Sequence, residues 1–89
     1  MFFQLFWDDP NKRNLKLKSV SQVVKLFKEN PTYNLIGPID FDVDKQCWSL
    51  QIWIEDGTKG DYLGDIYCKS KSFLKVLYNE IYPEGKVKT

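Results

Sequence analysis

Residues 39–54 read IDFDVDKQCWSLQIWI. Ile39, Phe41 and Val43 alternate with Asp40, Asp42 and Asp44; Trp48, Leu50, Ile52 and Ile54 then alternate with Ser49, Gln51 and Trp53. Successive side chains of a strand point to opposite faces, so a period of two predicts two half-buried strands joined by a tight connection. One face would be apolar. The other would carry three carboxylates and a tryptophan, and this predicts a surface that binds rather than one that catalyses.

Upstream, Phe2 to Trp7 is almost continuously apolar and predicts a strand covered on both sides, or a central one, ended by the turn residues Asp8, Asp9, Pro10 and Asn11. Residues 12–18, KRNLKLK, alternate Leu15 and Leu17 with cations. They read either as a short edge strand, where lysines discourage edge-to-edge pairing, or as an extended lead into a helix. Ser19 and Gln22 have capping-box spacing, and Val20, Val23, Val24 and Phe27 form a helical stripe that Asn30-Pro31 stops. Residues 31–38 read as a linker with a turn signal at Gly37-Pro38.

Downstream, residues 55–61 read as a flexible acidic loop. Tyr62 to Cys68 reads as a strand, with Gly64 marking a bulge. Ser70 or Ser72 would cap a last helix with Phe73, Leu74, Leu77, Tyr78 and Ile81 on its apolar side, stopped by Pro83. The expected fold class is therefore α+β: a small antiparallel or mixed sheet of about four to five strands with two helices packed on one face. The expected core comprises Trp48, Leu50, Ile52, Phe41, Val43, Val23, Phe27, Leu74 and Leu77.

A chain of 89 residues fits one domain, with residues 84–89 as a flexible tail. Six Phe, five Tyr and three Trp give it large side chains to bury without metals or disulfides. The net charge of +1 hides a segregation. Residues 1–38 hold six basic and three acidic groups (net +3), residues 39–67 two and seven (−5), and residues 68–89 five and two (+3). Such a balance serves solubility. It also predicts an acidic patch able to steer a basic partner. The two cysteines, Cys47 and Cys68, are too few for a disulfide framework and read as small buried apolar residues of a cytoplasmic protein. The apolar N-terminus lacks a basic region and a cleavage site, so it does not read as a signal peptide, and no apolar run suits a membrane span.

The aspartate row invites a metal reading. An EF-hand loop counted from Asp40 needs glycine at its sixth position and glutamate at its twelfth, where this chain has Lys45 and Gln51. No metal and no cofactor is expected. With no histidine, nucleophilic catalysis lacks its usual base, and neither a dinucleotide-binding glycine motif nor a P-loop occurs. No catalytic residue is assigned.

Residues 48–74, WSLQIWIEDGTKGDYLGDIYCKSKSFL, resemble the core of some bacterial polymorphic-toxin immunity proteins. The resemblance lies in the alternating Trp48, Leu50, Ile52 and Ile54, the acidic loop with Gly57 and Gly60, the strand Tyr62 to Cys68, and Phe73-Leu74 at a helix start. Where those proteins carry Pro and Trp before that leucine, this chain has Lys71 and Phe73. The resemblance implies a non-catalytic inhibitor of a cognate toxin. A phage-encoded inhibitor of a host defence protein would share the profile. The expected partner is a protein with a basic surface, met by a monomer or dimer through Asp40, Asp42, Asp44, Trp53, Glu55 and Asp56. The alternative is a nucleic-acid-binding accessory protein using Lys12, Arg13, Lys16, Lys18, Lys69, Lys71 and Lys75, with aromatic rings as stacking surfaces.

Overall fold

The computed structural model describes residues 2–55 and 60–83. Its elements in chain order are β1 (Phe3–Trp7), β2 (Leu15–Leu17), α1 (Val20–Glu29), β3 (Tyr33–Asp42), β4 (Cys47–Glu55), β5 (Gly60–Cys68) and α2 (Lys71–Ile81). They make an α+β domain with one five-stranded sheet of order β2-β1-β5-β4-β3, in which every neighbouring pair is antiparallel. Most of the acidic loop expected at 55–61, and the tail at 84–89, lie outside the described residues.

Alternation along the strands decides what each face carries. Phe3 and Leu5, Leu50 and Ile52, and Ile66 and Cys68 stand in register across β1, β4 and β5, and all six are buried. Val23 and Phe27 of α1, with Leu74 and Leu77 of α2, close over them in one core. Burying such side chains is the main stabilising term of a small domain, at roughly 1.5–3 kcal/mol each. Both helices therefore lie on one face, and the opposite face carries no described helix.

The caps follow the sequence closely. The Ser19 hydroxyl accepts from the Gln22 backbone N–H at 3.2 Å, and the Gln22 side-chain oxygen accepts from the Lys18 N–H at 2.7 Å, one residue outside the usual capping box. Ser70, rather than Ser72, caps α2: its hydroxyl accepts from the Phe73 N–H at 3.2 Å. KRNLKLK supplies the edge strand β2, one of the two alternatives open from sequence.

Two expectations need correction. Residues 31–38 are not a linker. β3 starts at Tyr33 and runs through Gly37-Pro38, absorbing two extra residues between the pairs Ile36–Gln51 and Asp40–Ser49. Proline is tolerated there because β3 is an edge strand and the segment is a bulge. Secondly, Val43 and Phe41 are not core. Val43 lies in the turn after β3 and is 70% exposed; Phe41 lies at the sheet margin, edge-on to Trp48 at 4.9 Å and 44% exposed. Trp48 itself is only partly buried, packed against the core. The middle of the sheet is β5, and the strands of the 39–54 hairpin take the edge and the next place in.

The expected bulge in β5 is present. The ladder pairs Ile52 with Gly64 but Trp53 with Tyr62, leaving Leu63 unpaired. A side chain at Gly64 would collide with the Phe6 carbonyl of β1, so the close approach of β1 and β5 requires glycine there.

Candidate functional site

The face of the sheet that carries no described helix can be written as rows running from β3 across to β2. Register places Asn34, Trp53 and Tyr62 in one row, then Ile36, Gln51, Asp65 and Phe6. The next row is Asp40, Ser49, Tyr67, Gln4 and Lys16, and Asp42 and Cys47 follow. Carboxylates therefore come from two strands, β3 and β5, around an aromatic centre.

Trp53 lies on this face and is partly buried. Its indole N–H donates to the Gln51 side-chain oxygen at 2.9 Å, and its ring meets Tyr62 edge to face. Gly60 lies beside the indole; a Cβ there would make ordinary contact with the ring at 3.5 Å. The Tyr62 hydroxyl donates a hydrogen bond to the Asp65 carboxylate. Partial burial and the Asp65 carboxylate push the Tyr62 phenol well above its ordinary range.

Beside this pair, Phe6 and Tyr67 pack edge to face with centroids 5.4 Å apart. Tyr67 is only 8% exposed, and burial, together with the Asp65 and Asp42 carboxylates, pushes its phenol up to about 12. The Lys45 ammonium from the β3–β4 turn lies over both rings, 4.8 Å from the Phe6 centroid and 5.3 Å from that of Tyr67. Gln46 in the same turn has φ of 56°, a left-handed conformation that brings the chain round into β4. The Asp42 carboxylate accepts from the Lys45 backbone N–H at 3.1 Å, which braces the turn.

Of the residues expected from sequence, Asp40, Asp42 and Trp53 share this face. Asp44 does not continue their row: it falls in the exposed turn, because β3 ends at Asp42. Glu55 is exposed at the end of β4, opposite Gly60. Asp56 lies outside the described residues. Asp65, Tyr62, Phe6 and Tyr67 were not anticipated. The signal for them was present in the alternation of β1 and β5, but the β5 bulge changes the phase at Leu63 and the continuous apolar run of β1 hides which face Phe6 takes.

The alternative basic residues divide. Lys12 lies by the other end of β1, its ammonium 4.5 Å from the Trp7 ring centroid and 3.1 Å from the Tyr33 hydroxyl. Lys16 lies over Phe2 at 5.3 Å, and Lys69 and Phe2 line one hollow of about 310 Å³ with Gln4, Tyr67 and the two cysteines. Lys71 rests on Trp48 at 4.8 Å, and Lys75 lines a separate hollow by Gly37 and Pro38. Arg13 and Lys18 are exposed.

Both cysteines are free and buried. Burial pushes the Cys68 thiol up, which lowers its thiolate content at neutral pH. Among the described residues no three His, Cys, Asp or Glu side chains converge as metal ligands would, and no helix is long and apolar enough to cross a membrane. Comparison with protein-family models, curated proteins and solved structures finds nothing that matches this chain.

Proposed function

We propose that this chain is a small non-catalytic binding protein of the inhibitor or immunity type, which neutralises a protein partner by covering a basic surface with its open sheet face. The observation that carries the reading is the joint placement of Asp40, Asp42 and Asp65 around Trp53, Tyr62, Phe6 and Tyr67 on a face without a described helix. Among the described residues the one ion pair, Lys25 with Glu29, lies on α1, so these carboxylates remain available to an external cation. The acidic groups would set the encounter rate and the aromatic rings the lifetime of the complex. The free cysteines fit a reducing, cytoplasmic setting. A toxin and a defence protein are both targets of this chemistry.

The test is recovery of the partner with the tagged protein from its native host, followed by binding kinetics of charge-reversed variants. Asp40→Lys with Asp42→Lys slows association and flattens its salt dependence while the fold is kept. Wild-type kinetics in that double variant would remove the acidic face from the account.

A second reading has one observation in its favour: Lys16 and Lys69 flank the exposed Phe2 ring, a cationic-aromatic end that suits single-stranded nucleic acid. Retention on heparin at low salt, lost in Lys16→Ala with Lys69→Ala, would favour this end over the acidic face.

A further inference from the structure

The position of Lys45 deepens the proposed reading and rests on it. Its ammonium is a cation from the chain's own turn, seated over two edge-to-face rings, Phe6 and Tyr67. Carboxylates stand on two sides of this seat. Asp42 is at the end of β3, paired with Cys47 of β4, the strand that lies between it and β5, and Asp65 is two residues before Tyr67 on β5 and directly opposite Phe6 on β1. Both stand on the sheet face that carries the two rings. Lys45 makes no ion pair with either among the described residues. It is a lone charge on ring faces, on an exposed turn with a flexible four-carbon stem.

We infer that the Phe6–Tyr67 seat is a cation slot for an arginine side chain of the protein partner, and that Lys45 occupies it in the free protein and is displaced on binding. A guanidinium suits the slot better than the ammonium does. It is planar and weakly hydrated, so it stacks on a ring, and it presents several N–H donors at once, which the Asp42 and Asp65 carboxylates can accept. Displaced, Lys45 swings into solvent at little cost. In the free state it shields the rings from water and discourages weakly bound cations, so that the slot selects for partners that bring arginine.

The test uses the full chain and an acetylated, amidated hexa-arginine peptide as probe, titrated at low salt and followed by NMR. Lys45→Ala empties the slot, and Lys16→Ala removes the same charge from the same face without touching it. The expected result is that Lys45→Ala binds the peptide roughly three- to tenfold more tightly than wild type, a gain larger than that of Lys16→Ala. In wild type, the Lys45 side-chain methylene signals, shifted by the ring currents, move towards solvent-exposed values as peptide is added. Adding Phe6→Leu to Lys45→Ala abolishes the extra gain. Equal gains in the two lysine variants, with Lys45 signals unmoved, would overturn the slot and leave the acidic face standing. Failure of all the proteins to bind the peptide would overturn the slot and the acidic-face reading together.

Discussion

Trp53 on β4 and Tyr62 on β5 stand directly opposite each other across the ladder, rings edge to face with centroids 5.8 Å apart. Aromatic pairs in this geometry contribute about 0.5–1.5 kcal/mol beyond their buried area, so the indole is held in place before any partner arrives. A pre-positioned tryptophan loses little side-chain freedom on binding, as hot-spot residues at interface centres require. Trp53→Ala is expected to speed dissociation of the recovered partner by an amount worth about 2 kcal/mol or more, with a smaller effect on association. Stopped-flow or surface-based kinetics with the purified pair give both rates; an unchanged dissociation rate would place Trp53 outside the contact.

Stability separates the core from the hairpin tip. Leu50→Ala and Phe27→Ala, each removing a buried side chain, are expected to cost about 2–5 kcal/mol in urea unfolding. Val43→Ala, in the exposed turn, is expected to change stability by no more than about 0.5 kcal/mol. Equal losses at Val43 and Leu50 would mean that the hairpin tip is packed after all.

Gly64→Ala tests the closeness of β1 and β5. A methyl group would meet the Phe6 carbonyl, and both strands would have to part. The expected cost is more than about 1 kcal/mol, with loss of protection in the amides of β1 during hydrogen exchange. Gly60→Ala, where only ordinary contact with the Trp53 ring awaits a methyl, is the comparison that should leave β1 intact.

The features that were legible in the sequence were the ones written in periodicity and caps. The alternation of residues 48–54, the helical stripes and the Ser19 cap all led to elements that exist. β3 was half hidden because Gly37-Pro38 reads as a turn, whereas an edge strand can carry it in a bulge. Asp44 was grouped with Asp40 and Asp42 because alternation alone cannot say where a strand stops. Asp65 and Tyr67 were missed for a different reason. They join Asp42 only through strand order, with β5 between β1 and β4, and strand order is not a local property of the chain.

Alkaline pH should weaken the fold through its tyrosines. The phenol of Tyr67 rises from 10.0 to about 12, and those of Tyr62 and Tyr82 also rise, all chiefly through burial. In the unfolded chain these groups lose protons near pH 10.0, whereas in the folded chain they keep them to higher pH. The unfolded state therefore binds fewer protons in that interval, and stability falls as pH rises from about 10 towards 12. Below pH 10 the contribution is fully present. Ultraviolet absorbance of phenolate, recorded with circular dichroism along one titration, should show late ionisation of part of the tyrosine signal coinciding with loss of structure. Complete ionisation near pH 10, with the fold intact, would contradict the burial of these rings.

The most direct measurement is an NMR map of the protein bound to its partner, read at backbone amides and the indole N–H of Trp53. The account predicts that the largest changes fall on Asp40, Asp42, Ser49, Gln51, Trp53 and Asp65, while Val24, Lys28, Val76 and Glu80 in the groove between α1 and α2 keep their signals. Changes concentrated in that groove, or around Phe2 and Lys69, with the open face silent, would contradict it.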